Sequence, residues 1–305
     1  MKEKLCGKGE IGMTTALLVA LMVFLYSLQS LFCKMFSEHY PAGNAALTST
    51  IFSISYGAFA GIATLLLAGG KFSPSPFTLL CGTLNAVVLL VYNTAMIQAS
   101  RSGSYSIQMI CMLFGAIVVP MVYGALWMGE SFSWVQLLAI GMMLASFVMM
   151  NWKGLSWKGS SRKFLLWCAV LFLSNGFYSV LLNVQQKAMA GAERNEMVIL
   201  TYLGMAALYT VFQLLRDRRA LLAGFRIPLK PLIYLLLCCI CATLASHLVL
   251  YVLSLVDATI LYTIDNGGVL VLSVVYSCVL FHEKLSRLQL GGILLSVVSI
   301  VLLSL

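Results

Sequence analysis

Charge is what this sequence has least of. Asp, Glu, Lys and Arg make up only 10% of its 305 residues, and just ten are acids, against 61% hydrophobic residues and a mean hydropathy of +0.97. An ordinary water-soluble domain carries about 25% charged residues, so this polar coat is too thin for a globular protein in water. An integral membrane protein is expected. Missing too is any stretch between the apolar runs long enough to fold as a soluble domain. The runs last roughly 20 residues, which is what a helix rising about 1.5 Å per residue needs to cross a hydrocarbon layer about 30 Å thick. Helices are therefore predicted, not barrel strands.

Other absences narrow the chemistry. Of nine cysteines, all but Cys6 fall inside or at the edges of apolar runs, where a thiol acts as a small hydrophobe. Cys238, Cys239 and Cys241 come nearest to a cluster, but no His or second pair stands at ligand spacing, so no metal and no cofactor is expected. The segment "FHEKL" begins like H-E-x-x-H and lacks the second histidine. Paired acids, or a nucleophile and base at the membrane surface, are absent as well, so no catalytic residue is assigned. An intramembrane enzyme or flippase acting on lipid-linked substrates stands as the alternative reading. The start "MKEKLCGKGE" has the basic residues of a signal peptide, but the run after it is too long and has no small-residue cleavage site. It reads as the first permanent span. The net charge of +9 comes from 19 Lys and Arg, mostly in short loops, which suits anionic lipid headgroups and not nucleic acid.

Ten spans are predicted, near 11–33, 44–69, 77–99, 104–128, 133–151, 164–186, 196–215, 230–253, 258–281 and 287–304. Their breaks are marked by Pro41 with Gly43, Gly69 and Gly70 with Pro74 and Pro76, Arg101 to Gly103, the polar link Trp152 to Lys163, and Arg216 to Lys230. Laying the second half on the first at an offset of 153 residues puts Glu130 on Glu283, Ser133 on Ser286, Gln136 on Gln289, Tyr123 on Tyr276 and Gly115 on Gly268. Five spans recur in each half. An odd number of spans per copy makes the copies enter the membrane from opposite sides, an architecture typical of secondary transporters with a midplane site at the repeat interface. The expected fold class is all-α: ten transmembrane helices as two inverted five-helix repeats, residues 1–151 and 164–305, around a central cavity.

The matched segments read "GESFSWVQL" and "HEKLSRLQL". Ser133 with Gln136, and Ser286 with Gln289, have the spacing of a capping box. Glu130 and Glu283 would stand just ahead of those helices, where negative charge favours the dipole's positive end. Two five-span repeats, each with an acid followed by S-x-x-Q and a small-residue helix, resemble the EamA-like branch of the drug/metabolite transporter superfamily over nearly the whole chain. His282 departs from the first copy, which has Gly129. The resemblance implies a ten-helix basket whose central cavity exports or exchanges small metabolites, with the last helix of each repeat outside it. Gly141 with Ala145, and Gly292 with Ser296, are small residues four apart and read as helix-packing faces.

Polar residues inside the spans supply the candidate site. Asn175, Ser179, Asn183 and Gln186 are spaced four, four and three apart on one face of the sixth span, and Tyr178 and Lys187 extend that region. A lipid-facing row of amides is costly, so this face points into protein or water. It either lines the cavity or bonds helix to helix. The third and fourth spans add Asn85, Tyr92 and Gln108. Asp265, about two turns into the ninth span, differs in degree, because a charge at membrane depth costs several kcal/mol unless it is paired, wetted or protonated. Tyr262 and Asn266 adjoin it, and Gly267 and Gly268 would let the helix loosen or a ligand approach. His247 is comparably deep. Asp265 is either a structural partner of Lys34, Lys187 or His247, or the group that binds a substrate's amino group or carries a coupling proton. The reading is a transporter of small polar or amphipathic metabolites such as amino acids; the sequence leaves its oligomeric state open, and a monomer is compatible with it.

Thirteen of the 19 basic residues, from Lys34 and Arg101 to Lys284 and Arg287, lie in odd-numbered loops, which by the positive-inside rule puts those loops in the cytoplasm. The resemblance, with Lys2, Lys4 and Lys8, implies instead that both termini are inside. Either way the termini share a side.

Overall fold

The computed structural model describes residues 7–40, 45–102, 105–129, 131–152, 161–281 and 286–303. They form helices α1 (Gly7–His39), α2 (Ala45–Leu67), α3 (Pro76–Ser102), α4 (Tyr105–Trp127), α5 (Trp134–Asn151), α6 (Arg162–Ala188), α7 (Arg194–Gly224), α8 (Leu229–Leu253), α9 (Ala258–Phe281) and α10 (Arg287–Leu303). Seven of them, α1 to α4 and α6 to α8, are long and apolar enough to cross a membrane. The other three hold shorter apolar stretches, Trp134–Met150, Ala258–Leu272 and Arg287–Leu302. Large apolar side chains stand bare on the outside, Trp134 at 87% and Leu215 at 84% exposure. Water penalises such a surface and lipid does not.

The expected loop after the seventh span is corrected. Helix α7 runs on to Gly224, interrupted at Asp217, whose backbone is extended (φ −162°, ψ 91°) and whose Oδ1 accepts from the amide of Ala220 at 2.9 Å. The charges of Arg216 to Arg219 look like a loop in sequence. Arg, Leu and Ala are nonetheless good helix formers, and Asp217 caps a second short helical stretch.

The helices pack in a pattern with its own regularity. Helix α1 lies on α8, α3 on α6, α2 on α7 and α5 on α10, while α4 leans on α6 and α9 on α1. Replacing each helix of the first five by its counterpart five places later returns the same set of pairs. Both S-x-x-Q segments form the expected caps. The amide of Gln136 donates to Ser133 Oγ (3.2 Å) and that of Ser133 to Gln136 Oε1 (2.9 Å). Ser286 and Gln289 repeat this at 3.3 and 2.9 Å. Glu130, His282 and Glu283 lie outside the described residues.

Two expectations about small residues change. Helix α9 runs unbroken through Gly267 and Gly268, and a Cβ there would stand 2.2 Å from Met143 Cε on α5 and 2.6 Å from Val23 Cγ1 on α1. These glycines admit neighbouring helices and do not loosen their own. Gly292 and Ser296 face α5 as expected, with Met150 Cγ 2.7 Å from a Cβ at Gly292. Gly141 and Ala145 do not mirror them. Both are exposed, and a Cβ at Gly141 would meet nothing within 4 Å.

Candidate functional site

Six helices bring hydroxyl-bearing side chains to one place. Tyr202 on α7 is the node: its hydroxyl lies 3.2 Å from that of Tyr178 on α6 and 2.9 Å from Ser246 Oγ on α8. Its ring meets Tyr56 of α2 edge to face, at 5.0 Å between centroids. Tyr262 on α9 donates its hydroxyl proton to the carbonyl of Ser179 at 3.3 Å. Tyr26 on α1 reaches Ser246 and, with Tyr262, lies within electrostatic range of Asp265. Tyr56, Tyr202 and Tyr262 are buried, whereas Tyr26, Tyr178 and Asp265 keep partial access.

Asp265 is the charged member of this group, three residues beyond Tyr262 on the same helix. Its Oδ1 is buried without a hydrogen-bond partner. Two of the three basic groups considered as partners are engaged elsewhere. Lys187 Nζ pairs with Asp257 Oδ1 at 3.4 Å, and His247 Nε2 stands 3.1 Å from Thr64 Oγ1. A buried carboxylate oxygen without a bond is expensive in a bilayer unless the group is paired, wetted or protonated.

The remaining candidates divide. Asn266 turns back on its own helix, donating Nδ2 to the carbonyl of Tyr262 at 2.7 Å. Three of them fasten helices together: Asn175 donates to the Met112 carbonyl (2.8 Å), Gln108 to that of Met96 (3.0 Å), and Tyr92 to Met112 Sδ (2.9 Å). Asn85 Nδ2 reaches Thr201 Oγ1 at 3.5 Å, with its Oδ1 unpartnered. Ser179 donates to the Asn175 carbonyl within α6 while offering its own carbonyl to Tyr262. Gln186 is bonded to Gln185, yet its Oε1 and the Oδ1 of the buried Asn183 have no partner. The α6 row thus partly bonds helix to helix and partly holds buried amide oxygens without a hydrogen-bond partner. His247 belongs elsewhere, in a recess of about 360 Å³ with Gly191, Glu193, Arg194, Glu196 and Tyr251, where the Arg194 guanidinium sits 4.9 Å from the Tyr251 ring centroid.

Sequence reasoning missed Tyr26, Tyr56, Tyr202 and Ser246. Each lies in a mostly apolar run, and only the packing of α1, α2, α7 and α8 collects them.

A bundle of apolar helices enclosing a polar cluster is the construction of an integral membrane protein, and comparison with known proteins gives the kind. Residues 165–305, just under half of the chain, match the EamA-like transporter family, one of the families of the drug/metabolite transporter superfamily. No curated protein matches the chain. Among solved structures 29 chains match, one of them a protein crystal structure with a TM-score of 0.76 at 16% identity, covering 96% of this chain and 98% of that one. A likeness at that identity speaks for the fold alone.

Proposed function

We propose that the whole chain is a secondary active transporter of the plasma membrane, built of ten spans in two inverted repeats joined by the polar link 152–163, and that it exports or exchanges small polar or amphipathic metabolites such as amino acids. The duplicated caps and the packing pattern that survives exchange of the two halves support the repeat. So do Gly115 and Gly268, which coincide at the 153-residue offset. Each serves a counterpart crossing, α4 on α6, where a Cβ at Gly115 would stand 2.1 Å from the Phe172 carbonyl oxygen, and α9 on α1.

The observation that carries the function is the unpartnered carboxylate oxygen of Asp265 among tyrosines drawn from both halves. Such a group binds a substrate's amino function or carries a coupling proton. Helices α3 and α4 pack more extensively on α7 and α6 than their counterparts α8 and α9 do on α2 and α1. That asymmetry supports alternating access, in which one repeat rocks against the other and the loose and tight contacts trade places. Purified protein in liposomes, offered a pool of metabolites under proton and sodium gradients, tests the proposal. Uptake or release of at least one of them is expected. Failure of every solute to cross, with a lipid altered or flipped instead, would overturn it.

A further inference from the structure

The structure assigns the recess at the corner of α6 and α7 to the headgroup of a membrane phospholipid that carries a primary ammonium beside its phosphate, as phosphatidylethanolamine does. The site is separate from the Asp265 cluster and does not depend on the transporter reading. About 360 Å³ of space opens there, between Arg194 and Glu196 on the first turn of α7 and His247 and Tyr251 on the last turns of α8. That lies within the roughly 300–1,000 Å³ range of ligand pockets.

Arg194 is held in place on two sides. Its guanidinium lies 4.9 Å from the Tyr251 ring centroid, and a Cβ on Gly191 would stand 2.4 Å from its Nη2, so only glycine leaves it room. Among the described residues it forms no ion pair, and its Nε, covered from water, has no hydrogen-bond partner. A fixed guanidinium without an acceptor is a seat for a phosphate oxygen. Glu193 is turned to Ser75, from which its Oε2 accepts two hydrogen bonds. Glu196 is the other acid of the recess, and a carboxylate beside a bound anion needs a cation of its own. A zwitterion meets both demands at once.

His247 decides the kind of ammonium. Thr64 gives its hydroxyl proton to the Ala60 carbonyl at 2.7 Å, so at 3.1 Å its Oγ1 accepts from His247 Nε2. In the neutral ring Nδ1 is then an acceptor. Two acceptors, the Glu196 carboxylate and this nitrogen, favour an ammonium with N–H bonds over a trimethylated one. The Tyr251 ring, which would otherwise attract a quaternary nitrogen, is already taken by Arg194.

Position favours a lipid over a free zwitterion. Arg194 begins one candidate span, and Leu253 and Leu67 end two others, so the recess lies at one end of the bundle, at headgroup level. Leu67, three residues after Thr64, and Leu244, three before His247, are exposed apolar side chains on the same helix faces. Acyl chains attached to the headgroup have that wall to lie on.

The test uses delipidated full-length protein in detergent. Native mass spectrometry measures binding of dioleoyl phosphatidylethanolamine, phosphatidylcholine and phosphatidylglycerol, and calorimetry that of soluble glycerophosphoethanolamine. Phosphatidylethanolamine should bind the wild type about tenfold more tightly than the other two lipids and than the soluble compound. Glu196→Gln should bring it down to the level of phosphatidylcholine, whose own affinity should stay within about twofold. Arg194→Gln should weaken all three lipids by about tenfold, because the phosphate is common to them. If Arg194→Gln does not fold, the wild-type ranking and Glu196→Gln decide. Equal affinity for the three lipids, a preference for phosphatidylglycerol, or a preference for phosphatidylethanolamine that survives Glu196→Gln overturns the site. Glycerophosphoethanolamine binding as tightly as the lipid overturns its assignment to a lipid.

Discussion

Glu193, at the corner between α6 and α7, accepts two hydrogen bonds on Oε2 from Ser75, which begins α3: one from the backbone amide at 3.0 Å and one from the hydroxyl at 2.9 Å. Ser75 Oγ in turn accepts from the amide of Thr78, whose own hydroxyl is held by Gln185 of α6 at 2.9 Å. Glu193 has a left-handed backbone (φ 55°), a conformation a non-glycine residue keeps only when its surroundings compensate. Hydrogen bonds from Thr78 and then Ser75 hold its carboxyl below the usual range. A carboxyl whose pKa is lowered by folding stabilises the fold above its unfolded pKa, and that contribution is lost as pH falls through the folded value. Glu193→Gln should therefore lower Tm at neutral pH and flatten the fall in Tm between about pH 5 and pH 3. Thermal unfolding in detergent measures this, and parallel pH profiles for variant and wild type would contradict it.

The crossing of α4 and α6 gives a steric prediction with an internal control. A Cβ on Gly115 would stand 2.1 Å from the Phe172 carbonyl oxygen and 2.9 Å from its Cα, and backbone atoms cannot rotate away. Gly115→Ala should cost about 1–3 kcal/mol of stability or more. Gly141→Ala, with open space around it, should stay within about 0.5 kcal/mol. Equal effects at the two positions, read from unfolding midpoints, would mean that α4 and α6 are not in this close contact.

Gly141 also shows what a membrane sequence conceals. Gly141 with Ala145 and Gly292 with Ser296 have the same small-residue spacing, yet one pair is exposed and the other packed. Lipid tails and protein cores are equally apolar, so hydrophobic periodicity does not say which face of a helix points inward. The tyrosine cluster was hidden for this reason. Asp265 was legible, because a carboxylate is costly anywhere in a bilayer, and so were the Ser133–Gln136 and Ser286–Gln289 caps, whose partners lie three residues apart. His247 was legible as a polar residue in a span but not as a neighbour of Arg194 and Tyr251, a matter of helix rotation.

Two asparagines on one face of α6 should separate by phenotype. Asn175 donates to the Met112 carbonyl across the α4–α6 contact, so Asn175→Ala should cost roughly 0.6 kcal/mol and leave substrate affinity unchanged. Asn183 is buried with an unpartnered Oδ1, so Asn183→Ala removes an unmet demand. It should keep wild-type stability and weaken substrate binding severalfold. Paired measurements of Tm and transport KM check both, and the reverse assignment would make Asn183 the structural residue.

The ion pair of Lys187 with Asp257 joins the end of α6 to the start of α9, but at 30% and 47% side-chain exposure it is screened by water and salt. Lys187→Met should shift stability by less than about 1 kcal/mol. A larger loss in Tm, abolished by high salt in the wild type, would show that this contact anchors the α8–α9 turn.

Tyr202 combines two roles that one substitution can separate. Its hydroxyl links Tyr178 to Ser246, and its ring packs against Tyr56. Tyr202→Phe removes the first and keeps the second. Because the lost bonds are buried, the expected cost is about 0.5–1.5 kcal/mol, with Ser246→Ala costing a similar amount. The two residues share one bond at 2.9 Å, so the double variant should cost clearly less than the sum of the singles. Strict additivity of the two stability losses would separate Tyr202 from Ser246.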